Sequence, residues 1–203
     1  GYTKQVGPYV AQKMDFKQIE KNIVRCPDKK MAQKMIDHIL DARKKGDSVG
    51  GVVELVATGV PAGLGEPVFD RLDADLAKAM MSIPAVKGVE FGIGFEAAEM
   101  YGSKCNDPYT VKGKKITTKT NNAGGIHGGI SNGSDIVLRM VVKPTSSITK
   151  SQDTVTVDGK KAKIRVEGRH DPCVSPRAVP IAEAMMALTL IDHLMRNQFS
   201  QLK

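Results

Sequence analysis

The glycine run Asn122-Ala-Gly-Gly-Ile-His-Gly-Gly-Ile-Ser-Asn-Gly133 directly precedes Ile136-Val-Leu-Arg-Met-Val-Val142, a segment of strand type. Two polar clusters follow, Lys143-Pro-Thr-Ser-Ser147 and Gly168-Arg-His-Asp-Pro-Cys173. Glycine permits positive φ angles and close approach of a ligand to the backbone. Lysine beside hydroxyls donates to phosphate or carboxylate groups, and arginine beside aspartate combines a fixed cation with a group that handles protons. The three clusters together are typical of a site for an anionic ligand, although each alone is more often a connecting loop.

Outside this stretch, the hydrophobic patterns predict a single α+β domain over residues 1–203. Three helices are expected: one capped by Asp28 and ending at Gly46, one with the apolar stripe Phe69, Leu72, Leu76 and Met80, and one from Pro180 to about Asn197. The last is apolar all round, so we expect it to be covered on most sides. The predicted strands are Tyr2 to Val10, Val52 to Ala57, Val86 to Phe91 and a hairpin around Asp158-Gly159, and a short helix is expected from Phe95 to Tyr101.

The composition of the 203 residues, 41% hydrophobic and 26% charged, is that of a soluble globular protein. No uninterrupted apolar run approaches about 20 residues, so we expect a cytoplasmic location and no membrane partner. The chain opens on Gly1-Tyr-Thr-Lys4 without methionine, which suggests part of a longer polypeptide. The three cysteines and four histidines show no metal-binding spacing, so we expect reduced thiols and no metal.

The net charge of +8 is compatible with two classes of function. One is a basic binding domain for nucleic acid, and the other is an enzyme whose basic cleft attracts small anionic substrates. The low aromatic content of 4%, the lack of tryptophan and the interleaving of acids with bases argue against nucleic acid. The local basic excess from Lys104 to Lys119 predicts a solvated, mobile loop. Gly92-Ile-Gly-Phe-Glu-Ala97 fits a dinucleotide-binding pattern, but the helix after it is too short for a βαβ unit.

Nine motifs, in order along nearly the whole chain, resemble the C-terminal part of the chorismate synthase family. They are Arg25-Cys-Pro-Asp28, Gly46-Asp-Ser-Val-Gly-Gly51, Gly63-Leu-Gly-Glu-Pro-Val-Phe-Asp70, Met81-Ser-Ile-Pro-Ala-Val-Lys-Gly88, Asn122-Ala-Gly-Gly-Ile126, Gly128-Gly-Ile-Ser131, Lys143-Pro-Thr-Ser-Ser-Ile148, Gly168-Arg-His-Asp-Pro-Cys173 and Arg177-Ala-Val-Pro-Ile-Ala-Glu-Ala184.

The resemblance implies a lyase that converts 5-enolpyruvylshikimate 3-phosphate to chorismate by anti elimination of phosphate, in the pathway to the aromatic amino acids. It also implies a requirement for reduced FMN, which carries the difficult chemistry without net redox change. Either an external reductant or NADPH is compatible with the reduction of the flavin. The implied fold is a layered sandwich of antiparallel sheets with helices packed between them, and the implied assembly is a homotetramer.

The resemblance also assigns roles to individual residues. The positions that match flavin contacts are Ala85, Gly128, Lys143, Thr145, Ser146, Ser147 and Arg169. Asp171 matches the family's acid beside the flavin, which assists proton removal. Pro84 stands where some members carry asparagine, so an amide contact there is not expected. Glu183 and His193, on the last helix, are expected to be structural.

The family's N-terminal portion has no counterpart in this sequence. That portion carries the segment, rich in arginine and serine, that binds the substrate's phosphate, and a second catalytic histidine. We therefore expect the 203-residue chain alone to be inactive, because it lacks the groups that stabilise the leaving phosphate. A non-enzymatic basic binding domain remains the alternative.

Overall fold

The computed structural model describes residues 1–113 and 115–200 and shows an α+β fold, which confirms the predicted class. The chain forms two compact units. Unit 1 comprises Gly1, residues 54–141 and the described residues from Val179 onward, and unit 2 comprises residues 2–53 and 142–178. The single domain over residues 1–203 and the layered arrangement remain predictions.

Unit 2 begins with strands β1 (Tyr2–Val6) and β2 (Tyr9–Val10), which pair antiparallel with Val6 opposite Tyr9. The predicted strand from Tyr2 to Val10 is therefore a hairpin. It reverses direction at Gly7, whose φ of 52° favours a residue without a β-carbon. The next regular elements of unit 2 are a 3-10 helix (Phe16–Lys21), helix α1 (Lys29–Lys44) and the first residues of strand β3 (Gly51–Ala57), and residues 142–178 add the hairpin described below. Within this unit the strand order is β2-β1-β3.

Helix α1 has the predicted cap and stop. The Asp28 carboxylate accepts hydrogen bonds from the backbone N–H groups of Lys30 and Met31, and Gly46 follows the helix with a φ of 67°. The apolar side of α1 packs into a small core with β1, and the buried members of this core are Val6, Ala11, Val24, Cys26, Ala32, Met35 and Cys173.

Unit 1 is built on the strand order β3-β9-β4. After β3, the elements of unit 1 in chain order are α2 (Leu72–Met81), β4 (Val86–Phe91), a 3-10 helix (Gly94–Glu99), α3 (Gly102–Cys105), β5 (Tyr109–Lys112), β6 (Lys115–Thr118), β7 (Ile126–His127), β8 (Ile130–Ser131) and β9 (Ile136–Val142). Most of the last helix, α4 (Ser175–Ser200), also belongs to this unit. The predicted strand from Ile136 to Val142 is confirmed as β9, and its burial alternates: Ile136, Leu138 and Met140 are fully buried while Arg139 between them is half-buried.

Helix α2 begins later than the sequence predicts. Phe69 was expected on its apolar stripe, but Phe69 is 91% exposed and precedes the helix. A turn closed by the hydrogen bond from Glu66 N–H to the Asp70 carbonyl occupies this segment, and Arg71 is extended, so the helix starts at Leu72. The rest of the predicted stripe, Leu72, Leu76 and Met80, is buried.

Helix α4 (Ser175–Ser200) begins five residues before the predicted start at Pro180. Pro176 lies in its first turn, where a missing N–H has no helical partner to lose. The expectation that α4 is covered on most sides is wrong within the described chain, since Ile181, Leu188, Ile191 and Met195 are about half exposed. By length and composition α4 is able to cross a bilayer, which is weak evidence because core helices of soluble proteins pass the same test.

Two further predictions, the hairpin around Asp158-Gly159 and the basic loop from Lys104 to Lys119, can be compared with the structure. The hairpin around Asp158-Gly159 is confirmed as β10 (Gln152–Val155) and β11 (Lys161–Ile164), in antiparallel register. The basic segment from Lys104 to Lys119 is not simply a loop, since it contains the end of α3 and the hairpin β5–β6, with Val111 opposite Ile116. Lys114 of that segment lies outside the described residues.

Candidate anion-binding site

Three loops of unit 2 enclose a polar cavity of about 230 Å³. One loop follows α1, one follows β9 and one precedes α4. The residues that line the cavity are Arg43, Gly46, Asp47, Thr145, Ser147, Ile148, Thr149, Gly168, Arg169, His170, Asp171 and Pro172. The second and third loops contain two of the clusters singled out in the sequence.

Backbone hydrogen bonds fix the first loop against the second. The carbonyl of Gly46 accepts from the N–H groups of Thr149 and Lys150 at 3.2 and 3.3 Å. The φ of 67° at Gly46 favours glycine, and a β-carbon there would also press on the Thr149 hydroxyl. The Lys150 ammonium lies 2.6 Å from the Asp47 carboxylate, and this bond, with one from the Ser48 N–H, lowers the pKa of the Asp47 carboxyl below its ordinary value.

The Thr145 side chain joins the second loop to the third. Its hydroxyl donates to the Asp171 carbonyl at 3.0 Å, and its own carbonyl accepts from the Ser48 hydroxyl at 2.6 Å. The Thr145 proton is thus used within the protein, and the oxygen can still accept from a ligand. Nothing in the sequence indicated this internal bond, because its partner is 26 residues away.

Asp171 lies between two guanidinium groups. Its Oδ2 accepts from Arg177 Nη1 at 2.7 Å, and its Oδ1 accepts from Arg169 Nη1 at 3.4 Å. The sequence had indicated Arg169 but not Arg177, which stands six residues away in the first turn of α4. The Arg169 side chain is 79% exposed, so most of its five donors remain available to a ligand.

The structure therefore brings four of the predicted residues together around one cavity: Thr145, Ser147, Arg169 and Asp171. Lys143 and Ser146 belong to the same loop but do not line the cavity, and Ser146 is exposed. The cavity residues that sequence reasoning missed are Arg43, Asp47, Thr149 and His170. Arg43 and Asp47 flank the end of α1, where only the helix stop was recognised.

Ala85 and Gly128 belong to unit 1 and have unusual backbones. Ala85 has a φ of 72°, in a region that non-glycine residues adopt only at a cost. Gly128 has a φ of 61°, and a β-carbon placed on it would meet no atom within 4 Å. The backbone at Gly128 is therefore open to a neighbouring group. His193 is buried and hydrogen-bonds Asp75 of α2 at 3.0 Å, in keeping with a structural role.

Comparisons with known proteins agree on one family. The family model described as chorismate synthase matches residues 1–195. Proteins named chorismate synthase from Methanosarcina barkeri and Synechococcus elongatus are 56% and 54% identical to this chain, and each match covers 98% of the chain and 56% of the relative. A solved structure titled "Crystal Structure of Chorismate Synthase" superimposes with a TM-score of 0.79 at 30% identity, over 97% of this chain and 56% of that one. The chain thus spans little more than half the length of the proteins it matches.

Proposed function

The chain belongs to the chorismate synthase family, and on this premise we propose that a protein of the relatives' full length containing it makes chorismate. The proposed reaction is the anti elimination of phosphate from 5-enolpyruvylshikimate 3-phosphate, with reduced FMN as cofactor. The observation that carries the proposal is the cavity in which Thr145, Ser147, Arg169 and Asp171 converge.

The donor set of this cavity fits one end of FMN. Hydroxyl and guanidinium groups are the usual partners of phosphate oxygens and sugar hydroxyls. The volume of about 230 Å³ is smaller than the roughly 300–1,000 Å³ of sites that enclose a whole drug-sized ligand. We therefore assign the cavity to part of the cofactor rather than to the whole molecule.

Each residue then has a distinct task. Arg169 binds an anionic oxygen through its free donors, and Ser147 binds through its hydroxyl. Asp171, oriented by Arg177 at 2.7 Å, holds or accepts a proton during the elimination. Lys143, Ser146, Ala85 and Gly128 remain proposed flavin contacts on the strength of the resemblance. The bound flavin supplies transient electron donation to the substrate.

The remaining assignments follow from the family. We propose a homotetramer in the cytoplasm, with 5-enolpyruvylshikimate 3-phosphate as substrate and no nucleic-acid or membrane partner. Because the chain spans only part of its relatives' length, we propose that it does not turn over substrate by itself. Supplying the rest of a relative's chain in trans, with reduced FMN and substrate, tests this, and chorismate formed by the chain alone would contradict it.

Removing Arg169 tests the ligand assignment. We expect Arg169→Ala to weaken FMN binding by about tenfold or more, because a hydrogen bond to a charged group is lost. Quenching of flavin fluorescence measures the affinity. Arg196→Ala is the matched control, since Arg196 is also paired with aspartate but does not line the cavity. Salt-sensitive binding of duplex DNA by the wild type, with no flavin response, would support the basic binding domain instead.

A second test of the flavin site adds a single methyl group at Gly128. Gly128→Ala and Gly133→Ala both place alanine at a positive φ, 61° and 86°, with room for the methyl group. Both variants therefore carry similar backbone strain, about 1 kcal/mol. We expect only Gly128→Ala to weaken flavin binding, as measured by fluorescence titration, because its methyl group occupies the space proposed for the cofactor. Equal affinities for the two variants would remove Gly128 from the site.

A further inference from the structure

Asp107, between α3 and β5 in unit 1, has a carboxylate that is fully covered although the segment around it is basic and exposed. Both of its oxygens are used. Oδ1 accepts from the Thr120 hydroxyl at 2.5 Å and the Asn122 N–H at 2.7 Å, and Oδ2 accepts from the Ala123 N–H at 2.9 Å and His127 Nε2 at 3.4 Å. Three of the four donors lie at or just before the start of the glycine run, residues 122–133, and the fourth, His127, lies within it.

The backbone of the glycine run needs contacts that hold it in one conformation. Gly124 and Gly125 have φ angles of 67° and 82°, and a β-carbon on either would collide with backbone atoms of β4's end or of the segment leading into β9. Glycines make this packing sterically possible, but their backbone freedom also makes ordering them costly in entropy. A buried carboxylate that binds two consecutive N–H groups at the entrance of the run restricts that freedom.

The hydrogen bonds around His127 also determine the tautomer of its ring. The Asn132 side chain accepts from the Ser134 N–H through its Oδ1, so its Nδ2 faces His127 Nδ1 at 3.3 Å as a donor. Nδ1 must then be an acceptor, and the ring proton lies on Nε2, toward Asp107. The Tyr109 hydroxyl, 3.2 Å from Nδ1, can donate to the same atom. Asp107 is thereby connected to both ends of the run, and His127 immediately precedes Gly128.

The charge of the Asp107 carboxyl agrees with its four hydrogen bonds. Burial alone would raise the pKa of the Asp107 carboxyl, but the hydrogen bonds from Thr120, Ala123, Asn122 and His127 outweigh burial and lower the pKa below its ordinary value. The carboxylate is therefore ionised at neutral pH. Asp107, Asn122, Ala123 and His127 also line a cavity of about 570 Å³ in unit 1, so the network shapes the wall of an open space.

We propose that Asp107 is a positioning residue that holds the glycine run, and with it Gly128, in the conformation that binds ligand. The identity of that ligand as FMN rests on the function proposed above, whereas the ordering of the run by Asp107 does not. Asp107 itself touches neither cofactor nor substrate in this proposal.

The test compares Asp107→Asn with Asp28→Asn. Asp28 is the matched control because it too is a buried carboxylate with four hydrogen-bond donors, but these are backbone N–H groups in unit 2, in residues 12–31. We expect Asp107→Asn to weaken FMN binding by about tenfold or more, because affinity falls in proportion to the competent population. It should also speed amide exchange in residues 122–129 and abolish the Nε2–H signature of His127 in ¹⁵N NMR spectra. Asp28→Asn should change none of the three.

Thr120→Val is a milder second variant that removes one donor and keeps the carboxylate. It should produce smaller changes in the same direction, and it keeps the test decisive if Asp107→Asn does not fold. If the wild type binds no FMN, the proposed function fails, and amide exchange and the His127 signature still decide the role of Asp107. Unchanged exchange and tautomer in both variants, or an equal loss of affinity in Asp28→Asn, would overturn the proposal.

Discussion

Asp171→Asn should lower the turnover of the full-length enzyme by about 10²–10⁴-fold, the usual worth of general acid–base catalysis. Asparagine keeps the shape of the side chain and an oxygen that can accept from Arg177 Nη1, now at 2.7 Å. It cannot take up a proton at neutral pH, so the loss appears in turnover. We expect FMN binding to survive, because Arg169 and the hydroxyls of the second loop are unchanged. Steady-state rates of chorismate formation and a flavin titration measure the two effects.

Asp153→Asn is the control for this experiment. Asp153 lies on β10, its side chain is 87% exposed, and it pairs with Lys163 across the hairpin. Its replacement removes a carboxylate from the same unit without touching the cavity, and turnover should not change. If Asp171→Asn retains near-normal turnover, Asp171 has no part in the proton transfer and only shapes the loop before α4.

Asp28→Ala should lower the unfolding free energy of the chain by about 3 kcal/mol, since it removes a helix cap and takes the partner from four backbone N–H groups. Oδ1 of Asp28 accepts from Lys30 and Met31 in the first turn of α1, and Oδ2 accepts from Gln12 and Lys13, each at 3.0–3.1 Å. Urea denaturation measures the loss. Asp15→Ala, which removes the exposed cap of the 3-10 helix, should cost clearly less. Equal losses in the two variants would show that the bonds of Asp28 to the 12–13 segment contribute nothing.

The same residue makes stability depend on pH. Burial would raise the pKa of the Asp28 carboxyl, but the four backbone hydrogen bonds outweigh burial and lower it. A carboxyl whose folded pKa is depressed stabilises the protein fully above its unfolded value of about 3.9 and loses that contribution as the pH falls through the folded pKa. Wild-type stability should therefore fall below about pH 4, and Asp28→Asn should make this fall shallower.

The sequence by itself determined those features whose signal is local. Helix α1 between Asp28 and Gly46 and the strand β9 were predicted correctly, because caps, stops and a run of β-branched residues are encoded in neighbouring positions. The family could also be identified from the sequence, since each of its motifs is a short continuous segment and the motifs occur in a fixed order.

Only the tertiary structure decided which side chains meet. The Thr145 hydroxyl bonds the Asp171 carbonyl, Arg177 reaches the Asp171 carboxylate, and Asp107 binds the entrance of the glycine run, and no local pattern marks these partners. The start of α2 after Phe69 and the exposed face of α4 were mispredicted for a related reason. An apolar periodicity shows which residues can be buried on one side of a helix. Whether another part of the protein covers that side depends on how distant segments pack.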